Sequence, residues 1–202
     1  MIVPGMNQFL VATHNKGKTK EIQAILADVG FTVLSLDEIH QNVPEPKETG
    51  TTYEENALIK AKIAGDVTQI LTIADDSGLE VGALPGQLGV YSARYGANDG
   101  DRITKLLTAM KEKTNRTAAF VSCIVLYDPK TQEHQTFMGK IEGTLATEKK
   151  GEGGFGFDPL FVPQGYTKTF AELGPEEKNT VSHRAKALAK LKVYLSANKR
   201  IS

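Results

Sequence analysis

The sequence predicts an α/β protein built on a mixed β-sheet, and three observations support this fold class. Short apolar runs typical of buried strands, such as residues 9–12, alternate with segments whose apolar residues recur at helical spacing. Two longer runs, residues 117–127 and 134–144, flank the turn Asp128-Pro129-Lys130 and indicate an antiparallel hairpin. Strand–helix alternation combined with a hairpin predicts a sheet with both parallel and antiparallel pairs.

Local signals give the order of elements in the N-terminal half. Gly30 follows the last apolar residue at helical spacing and stops the first helix. Residues 51–54 (Thr-Thr-Tyr-Glu) supply a capping box that starts the second helix, after a loop rich in proline at residues 42–52. The predicted elements are a strand at 9–12, a helix ending at 30, a strand at 31–36, a helix from about 52 to 65, and a strand at 70–74.

The C-terminal half is predicted in the same way. A glycine–proline turn at residues 84–89 precedes a helix, and a glycine-rich loop at residues 151–158 follows the hairpin. The last helix carries Ala185, Leu188 and Leu191 on its apolar side. The predicted elements are a helix at 99–113, the hairpin strands at 117–127 and 134–144, and a helix at about 182–197.

Composition excludes several classes of function. Lys and Arg together number 24, as do Asp and Glu, so the formal net charge is zero. Proteins that coat nucleic acid usually carry a basic surplus, so any polyanionic ligand must be small and bound by a local cluster. No stretch approaches the roughly 20 apolar residues that span a bilayer, and the first ten residues lack the pattern of a secretory signal. We therefore expect a cytoplasmic protein without a nucleic-acid or membrane partner.

Length and cysteine content bound the answer further. The 202 residues fit one domain, residues 1–202, with residues 1–5 as a tail before the first strand. The single cysteine, Cys123, lies in an apolar run and is predicted to be buried and inert. Reactive cysteines need an electropositive and partly exposed setting.

The first candidate site is the turn between the first strand and the first helix, Thr13-x-Asn15-x-x-Lys18. Backbone N–H groups at a helix start, with a lysine nearby, can bind phosphate. The alternative is a capped turn with solvated lysines. Lys16, Lys18 and Lys20 favour the binding interpretation, because the helix dipole disfavours cations at this end and a bound anion would compensate for them.

The start of the last helix repeats this arrangement. His183 and Arg184 occupy its first turn, and Lys178 lies just upstream. Basic residues at two helix starts in a protein of zero net charge suggest two walls of one anion site, since local rules are often broken at functional sites. An ordinary basic turn is the alternative.

Acidic residues supply the metal candidates. Asp75-Asp76-Ser77-Gly78 follows the apolar strand at residues 70–74, and carboxylates at a strand end can hold Mg²⁺. Neighbouring strand residues face opposite ways, so one of the two aspartates is expected to point into the site. Glu48, in the loop before the second helix, is a further candidate ligand. An Asp-Ser-Gly turn and a solvated glutamate are the alternatives.

Two further features have a functional and a structural interpretation each. Lys60 lies one turn after Asn56 on the second helix and is either a phosphate contact or a surface lysine. The segment at residues 153–159 surrounds Phe155 and Phe157 with glycines. Glycine lets the backbone approach a ligand and an aromatic ring can stack on a base, whereas a tight turn with buried phenylalanines is equally compatible.

Taken together, the motifs resemble the inosine triphosphate pyrophosphatase family, also called XTP/dITP diphosphohydrolases. The resemblance spans nearly the whole chain from about Met6, and its six motifs occur in one order. They are Ala12-Thr13-His14-Asn15-x-x-Lys18, Glu48-Thr49-Gly50-x-Thr52-x-x-x-Asn56-Ala57-x-x-Lys60-Ala61, Ala74-Asp75-Asp76-Ser77-Gly78-Leu79, Gly89-Val90-Tyr91-Ser92-Ala93-Arg94-Tyr95, the loop from Gly153 to Asp158, and Glu177-Lys178 with Ser182-His183-Arg184. The sequence departs from the family pattern in two small ways. His14 lies in the first loop, and Phe157 occupies a position where a tyrosine or tryptophan is common.

The resemblance implies an elongated, two-lobed single domain with a long twisted mixed sheet flanked by helices, and a homodimer. It also implies Mg²⁺-dependent hydrolysis of ITP, dITP and XTP to the monophosphate and pyrophosphate, which removes deaminated purines from the nucleotide pool. Asp76 would act as general base supported by Asp75, and Glu48 and Asp76 would bind the metal. The residues that would hold the triphosphate are Thr13, His14, Asn15, Lys16, Gly17, Lys18 and Lys60. Those that would bind the nucleoside are Ser77, Phe155, Gly156, Phe157, Asp158, Lys178, His183 and Arg184.

Two rival functions remain at the level of sequence. One is a pyrophosphatase of similar fold that acts on dTTP or UTP, but its first loop is rich in serine, proline and arginine, unlike residues 13–18. The other is a nucleotide-binding module without catalysis, which would be expected to lack the acidic residues Glu48, Asp75 and Asp76. Release of pyrophosphate from ITP with Mg²⁺ and with EDTA discriminates between them.

Overall fold

The computed structural model describes residues 8–198, and it has the predicted α/β architecture with a mixed sheet. The strands are β1 Gln8–Val11, β2 Thr32–Ser35, β3 Thr72–Val81, β4 Thr117–Tyr127, β5 His134–Leu145 and β6 Phe161–Pro163. The helices are α1 Lys16–Ile25, α2 Tyr53–Thr68, α3 Asp99–Ala109, α4 Phe170–Leu173, α5 Pro175–Val181 and α6 His183–Ala197. Two 3₁₀ helices span Leu36–Glu38 and Gly89–Arg94. The tail predicted at residues 1–5 lies outside the described residues.

The strand order is β2-β1-β3-β4-β5-β6, which makes the sheet mixed. β1 pairs in parallel with β2 and with β3, and β5 pairs antiparallel with β6. Only residues 128–133 connect the neighbouring strands β4 and β5, which is too short for a parallel crossover. The predicted antiparallel hairpin is therefore confirmed.

The described chain divides into two compact units. The first contains residues 8–76, 123–138 and 187–198, and the second contains residues 77–122 and 139–186. The boundaries fall inside β3, β4, β5 and α6. The assignment of residues 1–202 to one domain stays a prediction. Among residues 8–198, no helix has both the length and the apolar character needed to cross a membrane.

The first unit buries strand residues on both faces of its part of the sheet. Phe9, Val11 and Ile73 belong to one apolar cluster, which α1 and α6 complete with residues such as Ile22 and Leu188. The intervening strand residues, such as Leu10 and Ala74, belong to a second cluster that includes Ala57, Ala61 and Ala64 of α2. Alternation along each strand therefore sends odd and even positions toward different helices. This separation determines where the polar residues that follow on β3 point.

The second unit has one apolar cluster. It contains residues from β3, β4, β5, β6 and α3, together with Phe157 and Phe170. Phe120 of β4 lies near its centre, with its ring centroid 4.8 Å from that of Phe161 and 5.9 Å from that of Phe170. These rings form the apolar support beneath the loop at residues 153–158 and the start of α6.

Several boundaries differ from the predictions, among them the end of α1, which lies at Ile25 and not at Gly30. β3 continues to Val81, so Asp75 and Asp76 lie inside the strand, whereas the sequence predicted them just after its end. The capping box at α2 uses Thr52 and Glu55, one residue later than predicted, because Thr52 accepts the N–H of Glu55 and Glu55 accepts the N–H of Thr52. α2 also passes Gly65 and ends at Thr68.

Short elements were not predicted at all. β6, α4, α5 and the two 3₁₀ helices are each seven residues or fewer, which is too short for a recognisable period. Conversely, α3 ends at Ala109 although its helical pattern continues to residue 113.

Candidate active site

The turn between β1 and α1 is held by its own side chains. Asn15 caps the helix by accepting the N–H of Lys18 at 3.1 Å, and Thr13 Oγ1 accepts the N–H of Asn15 at 3.2 Å. His14, Asn15 and Lys16 are exposed, and Gly17 is half-buried. The first turn of α1 has no acidic residue of its own and carries Lys16 and Lys18. Both interpretations of the motif, capped turn and anion site, are compatible with this geometry.

Lys18 departs from the turn and points inward. Its Nζ lies 2.9 Å from Oδ2 of Asp75 and 3.5 Å from the carbonyl oxygen of Asp75. Asp75 is fully buried, and the side chain of Lys18 is 14% exposed. Asp75 is two residues after Ile73, so strand alternation directs it to the face of the sheet that α1 covers. The carboxylate therefore supplies part of the negative charge that the basic helix start requires.

Asp76 points the opposite way, toward α2. Its Oδ1 lies 2.8 Å from Nζ of Lys60, and the same Nζ lies 2.9 Å from Oε1 of Glu48. The prediction that adjacent aspartates face opposite sides is confirmed, and each meets a different lysine. Oδ2 of Asp76 is buried and has no hydrogen-bond partner within residues 8–198.

Burial and charged neighbours shift the pKa of Asp76 and that of Lys60. Burial raises the pKa of Asp76, and the positive charges of Lys60 and Lys18 offset this only in part. Burial alone would lower the pKa of Lys60, but the charges and hydrogen bonds of Asp76 and Glu48 outweigh it and raise that pKa. The ammonium of Lys60 is shared between two carboxylates, whereas within residues 8–198 only one of the two oxygens of Asp76 has a hydrogen-bond partner. Lys60 therefore stays protonated, and the carboxylate of Asp76 beside it is more basic than that of an exposed aspartate.

The second unit brings together most of the residues predicted for the nucleoside. Arg184 is almost fully buried, and its Nη2 donates to Oγ of Ser77 at 3.0 Å. The guanidinium carbon lies 5.8 Å from the ring centroid of Phe155. Lys178 Nζ lies 4.6 Å from the same centroid. Two cationic side chains therefore approach one aromatic ring.

Asp158 organises the glycine-rich loop. Its Oδ2 accepts a hydrogen bond from Lys178 and a second from the N–H of Phe155 at 2.9 Å. Gly154 has a positive φ of 74°, and a Cβ there would lie 2.1 Å from Oδ2 of Asp158. A glycine is thus required at this position on two counts. The buried pair Asp158–Lys178 holds Phe155 in place from both its backbone and its ring.

Two of the predicted nucleoside residues have strong structural roles. The ring of His183 stacks on Phe120, with centroids 4.7 Å apart and an interplanar angle of 9°. Phe157 is 4% exposed and belongs to the apolar cluster of the second unit. For Phe157 the geometry favours the interpretation as a buried turn residue. Gly156 remains in the loop, where its N–H donates to Oδ2 of Asp99 at 2.7 Å.

Sequence reasoning missed Asp99 and Ser92. Asp99, in the first turn of α3, accepts the N–H of Gly156 and pairs with Arg102. Ser92 Oγ donates to the carbonyl of Gly89 and accepts the N–H of Leu79, which fixes the second 3₁₀ helix to β3. The only signals in the sequence were an acidic residue at a helix start and a serine within a matched motif. Neither indicates a contact with a distant loop or strand.

Cys123 behaves as predicted. It is fully buried in the first unit. Burial, together with the negative charges of Glu54, Asp75 and Asp76, raises the pKa of Cys123 to about 12. A thiolate is therefore almost absent at neutral pH, and cysteine chemistry is excluded from the site.

Known proteins resemble this chain in both sequence and structure. The model of the Ham1 family matches residues 9–194. A protein of Geobacter sulfurreducens named dITP/XTP pyrophosphatase is 47% identical over 195 residues, covering 94% of this chain and 97% of its own. One of Dictyoglomus thermophilum with the same name is 45% identical over 192 residues, covering 93% and 94%. The solved structure of a HAM1 protein from Coxiella burnetii has a TM-score of 0.84 and 38% identity, covering 95% of this chain and 100% of that one.

The matches to relatives cover nearly the whole length of both chains, and the family model matches residues 9–194, the part of this chain that contains all six motifs. The identities exceed the level at which family membership is in question, and the solved structure shares the fold over the same length. The chain therefore belongs to the Ham1 family, as its resemblance to the inosine triphosphate pyrophosphatases predicted.

Proposed function

We propose that this chain hydrolyses the deaminated purine nucleoside triphosphates dITP, ITP and XTP to the monophosphate and pyrophosphate. The printed name of its relatives, dITP/XTP pyrophosphatase, supports this activity. The structural observation that carries it is the buried carboxylate of Asp76, which has a raised pKa, a lysine at 2.8 Å and one oxygen without a hydrogen-bond partner among residues 8–198. Such a group accepts a proton more readily than an exposed aspartate does, while cations beside it attract polyphosphate.

The first unit takes the triphosphate in this proposal. The N–H groups at the start of α1, the exposed side chains of His14 and Lys16, and the turn residues Thr13, Asn15 and Gly17 offer donors to phosphate oxygens. Lys18 and Lys60 add positive charge, each held by a carboxylate that fixes its position. A triphosphate brings about four negative charges, so several cations are needed to bind it.

Glu48 and Asp76 would hold Mg²⁺. Both carboxylates contact one ammonium, and Oδ2 of Asp76 is a buried oxygen without a hydrogen-bond partner in the described chain. Residues 8–198 contain no group of three or more side chains arranged to bind a metal. Mg²⁺ suits such a site, because it usually binds through one or two carboxylates and completes its shell with water and substrate phosphates. The bound ion would supply positive charge to the triphosphate oxygens.

Asp76 acts as the general base. A water molecule attacks the α-phosphorus, the bond from this phosphorus to the oxygen shared with the β-phosphoryl group breaks, and pyrophosphate leaves with the bonding electrons. The carboxylate of Asp76 accepts the proton that the water loses. Lys60, with its raised pKa, stays protonated and opposes the negative charge that accumulates. Asp75 supports the reaction by fixing Lys18.

The second unit selects the base. Phe155 offers a ring for stacking, and Lys178 and Arg184 offer donors beside it. Ser77, His183 and Asp158 hold these donors and the loop, and Phe157 anchors the loop in the core. Arginine and lysine only donate hydrogen bonds, so they favour the 6-oxo group of hypoxanthine or xanthine over the 6-amino group of adenine.

Product analysis tests the activity directly. The protein is incubated with dITP, ITP, XTP, ATP, GTP, dTTP and UTP in Mg²⁺ and in EDTA, and products are separated by anion exchange. We expect monophosphate and pyrophosphate from the first three, and no reaction in EDTA. In H₂¹⁸O the label should enter the monophosphate, because the water attacks the α-phosphorus. Preference for dTTP or UTP would indicate the related pyrophosphatase, and tight binding without turnover would indicate a binding module.

We also propose that the protein is a cytoplasmic homodimer, on the family resemblance alone. Sedimentation equilibrium tests the oligomeric state, and a mass near 21.9 kDa, that of one chain, would contradict it. Fractionation of cells tests the location.

A further inference from the structure

Asn56 is a fully buried amide on α2 whose role the sequence did not indicate. Its backbone N–H bonds to the carbonyl of Thr52 within the helix at 3.2 Å. Its Oδ1 accepts the N–H of Gly50 at 2.8 Å. Because the backbone group is a donor, the accepting atom must be the oxygen, which fixes the other atom as the amide nitrogen.

That nitrogen, Nδ2, is the unusual atom. It is buried and has no hydrogen-bond partner anywhere in the described chain, residues 8–198. Buried side-chain donors in native proteins are nearly always paired, because an unpaired one loses its hydration without compensation. The partner of such a donor must come from outside the described chain, as a water molecule or a ligand.

The loop that Asn56 contacts is closely fitted to α2. A Cβ on Gly50 would lie 2.7 Å from Oδ1 of Asn56 and 2.6 Å from Cβ of Glu55. The N–H groups of the next two residues, Thr51 and Thr52, both donate to Oε2 of Glu55. Three consecutive amides are therefore bound by two side chains of α2, and Glu48, two residues before Gly50, is held by this arrangement.

A buried acceptor in the same unit complements the buried donor. Asn56 precedes Lys60 by one helical turn, so the two side chains share a face of α2. Lys60 contacts Oδ1 of Asp76, and Oδ2 of Asp76 is the acceptor that lacks a partner within residues 8–198. A magnesium polyphosphate satisfies both atoms, because its cation suits the carboxylate oxygen and its anionic oxygens suit the amide donor.

We propose that Asn56 binds the substrate, by donating from Nδ2 to a phosphate oxygen of the triphosphate. The proposal rests on the function proposed above and adds a contact to its triphosphate end. Neutral donors of this kind complement the lysines, since an amide has a fixed direction and selects one position of the phosphate chain.

The test measures binding of inorganic pyrophosphate with Mg²⁺ by titration calorimetry. Asn56→Ala should weaken this binding roughly 10- to 100-fold, as expected for loss of a hydrogen bond to a charged group. Glu55→Ala is the matched control, because it removes the contacts of the next two amides of the same loop, those of Thr51 and Thr52, and leaves the Asn56 amide in place. It should weaken binding by far less. Equal losses in both variants would mean that Asn56 acts only through the loop, and an unchanged affinity in Asn56→Ala would also overturn the contact.

A second variant covers the case in which Asn56→Ala does not fold. Asn56→Asp keeps an acceptor for the N–H of Gly50 and removes the donor. Its affinity for pyrophosphate should fall at least about 10-fold, because the donor is lost. An affinity equal to that of the wild type contradicts the hydrogen bond.

The proposed function is tested separately by hydrolysis of dITP. A wild-type protein that hydrolyses dITP but binds pyrophosphate independently of Asn56 refutes the contact alone. Pyrophosphate binding that depends on Asn56, in a protein that does not hydrolyse dITP, refutes the function alone. A wild-type protein that binds no pyrophosphate overturns the contact.

Discussion

The ammonium of Lys60 lies 2.8 Å from Oδ1 of Asp76, while Oδ2 of the same carboxylate has no hydrogen-bond partner in residues 8–198. Lys60 also binds Glu48, so one cation serves two carboxylates. Asp76 is consequently under-compensated for its burial and has a raised pKa. This imbalance makes Asp76 the strongest candidate for the base, and it leads to predictions on activity, pH dependence and stability.

Replacement of Asp76 by Asn should reduce turnover of dITP by at least about 10²-fold, the lower end of general-base effects. Stability at neutral pH, without metal or nucleotide, should be unchanged or higher. The pKa of Asp76 is raised in the folded protein, so its contribution to stability is present below the ordinary value of 3.8 and is lost as the pH rises through the folded value. At neutral pH the charge is therefore unfavourable, and Asn removes it. Steady-state kinetics and thermal melts in EDTA measure both effects.

The matched control is Asp28→Asn, which changes an exposed aspartate paired with Lys192. This pairing lowers the pKa of Asp28, the opposite direction to Asp76. The control should keep full activity. If folded Asp76→Asn retains more than about a tenth of wild-type turnover, Asp76 is not the base.

Replacement of Lys60 should change how kcat/KM for dITP depends on pH. Activity requires ionised Asp76, so kcat/KM falls as the pH falls through the pKa of this group. The charge and hydrogen bond of Lys60 lower the pKa of Asp76, partly against burial. Lys60→Met removes them, so the acid limb of the profile should move to higher pH. Profiles of kcat/KM for dITP at one Mg²⁺ concentration measure the shift.

Lys62→Met is the control for this experiment. Lys62 lies on the same helix but contacts the hydroxyl of Tyr127 and not Asp76. In the pH profile of Lys62→Met, the acid limb should coincide with that of the wild type. An acid limb that stays in place in Lys60→Met would show that another group controls the profile.

Lys18→Ala tests whether the basic start of α1 is structural or functional. From the sequence alone, removal of a cation opposing the helix dipole would leave stability unchanged or slightly higher. The contact with buried Asp75 at 2.9 Å reverses this expectation. We expect a loss of about 2 kcal/mol in the free energy of unfolding, since breaking a buried pair typically costs about 3–5 kcal/mol and Lys18 is partly exposed. Denaturant unfolding measures it, and affinity for triphosphate should fall in parallel.

Lys16→Ala serves as the comparison, because Lys16 is exposed at the same helix start. It should weaken triphosphate binding in a manner that salt screens, without loss of stability. A Lys18→Ala protein as stable as Lys16→Ala would contradict a structural role for the Lys18–Asp75 pair.

Arg184 should determine base choice. Its guanidinium lies near the ring of Phe155 and donates to Ser77, and because a guanidinium only donates hydrogen bonds it suits a 6-oxo acceptor. Sites that hydrogen-bond a substrate group reject analogues that lack it by up to ~10⁴–10⁵-fold. Lysine keeps the charge but lacks the planar fork of donors that a guanidinium presents, so Arg184→Lys should lower kcat/KM for dITP far more than for ATP and narrow their ratio. The conservative change is preferred because Arg184 is almost fully buried.

Arg116→Lys is the control, since Arg116 donates to the carbonyls of Leu145 and Ala146 in the same unit and has no contact with Phe155. It should leave the ratio of the two constants unchanged even if it lowers stability. An unchanged ratio in Arg184→Lys would assign base recognition to the loop at residues 153–158 instead.

Sequence patterns predicted the elements that are long and periodic. Both ends of β4, Thr117–Tyr127, and the start of β5 were predicted, because their apolar runs are bounded by turn residues. The end of β3 was not predicted, since two consecutive aspartates are typical of a turn. In the folded chain they lie inside a strand, where Lys18 and Lys60 supply partners from two helices.

The sequence by itself determined the family, the residue types of the site and the opposite orientation of Asp75 and Asp76. These depend on local order and on strand alternation, which are properties of a linear chain. The tertiary structure decided which charges meet. It pairs Lys18 with Asp75 and Lys60 with Asp76 and Glu48, binds Lys178 to Asp158, and buries Phe157. These contacts join residues that are far apart in sequence, so they form only when the chain folds. The pKa of Asp76 depends on its burial and on the distance to its charged neighbours, and folding sets both.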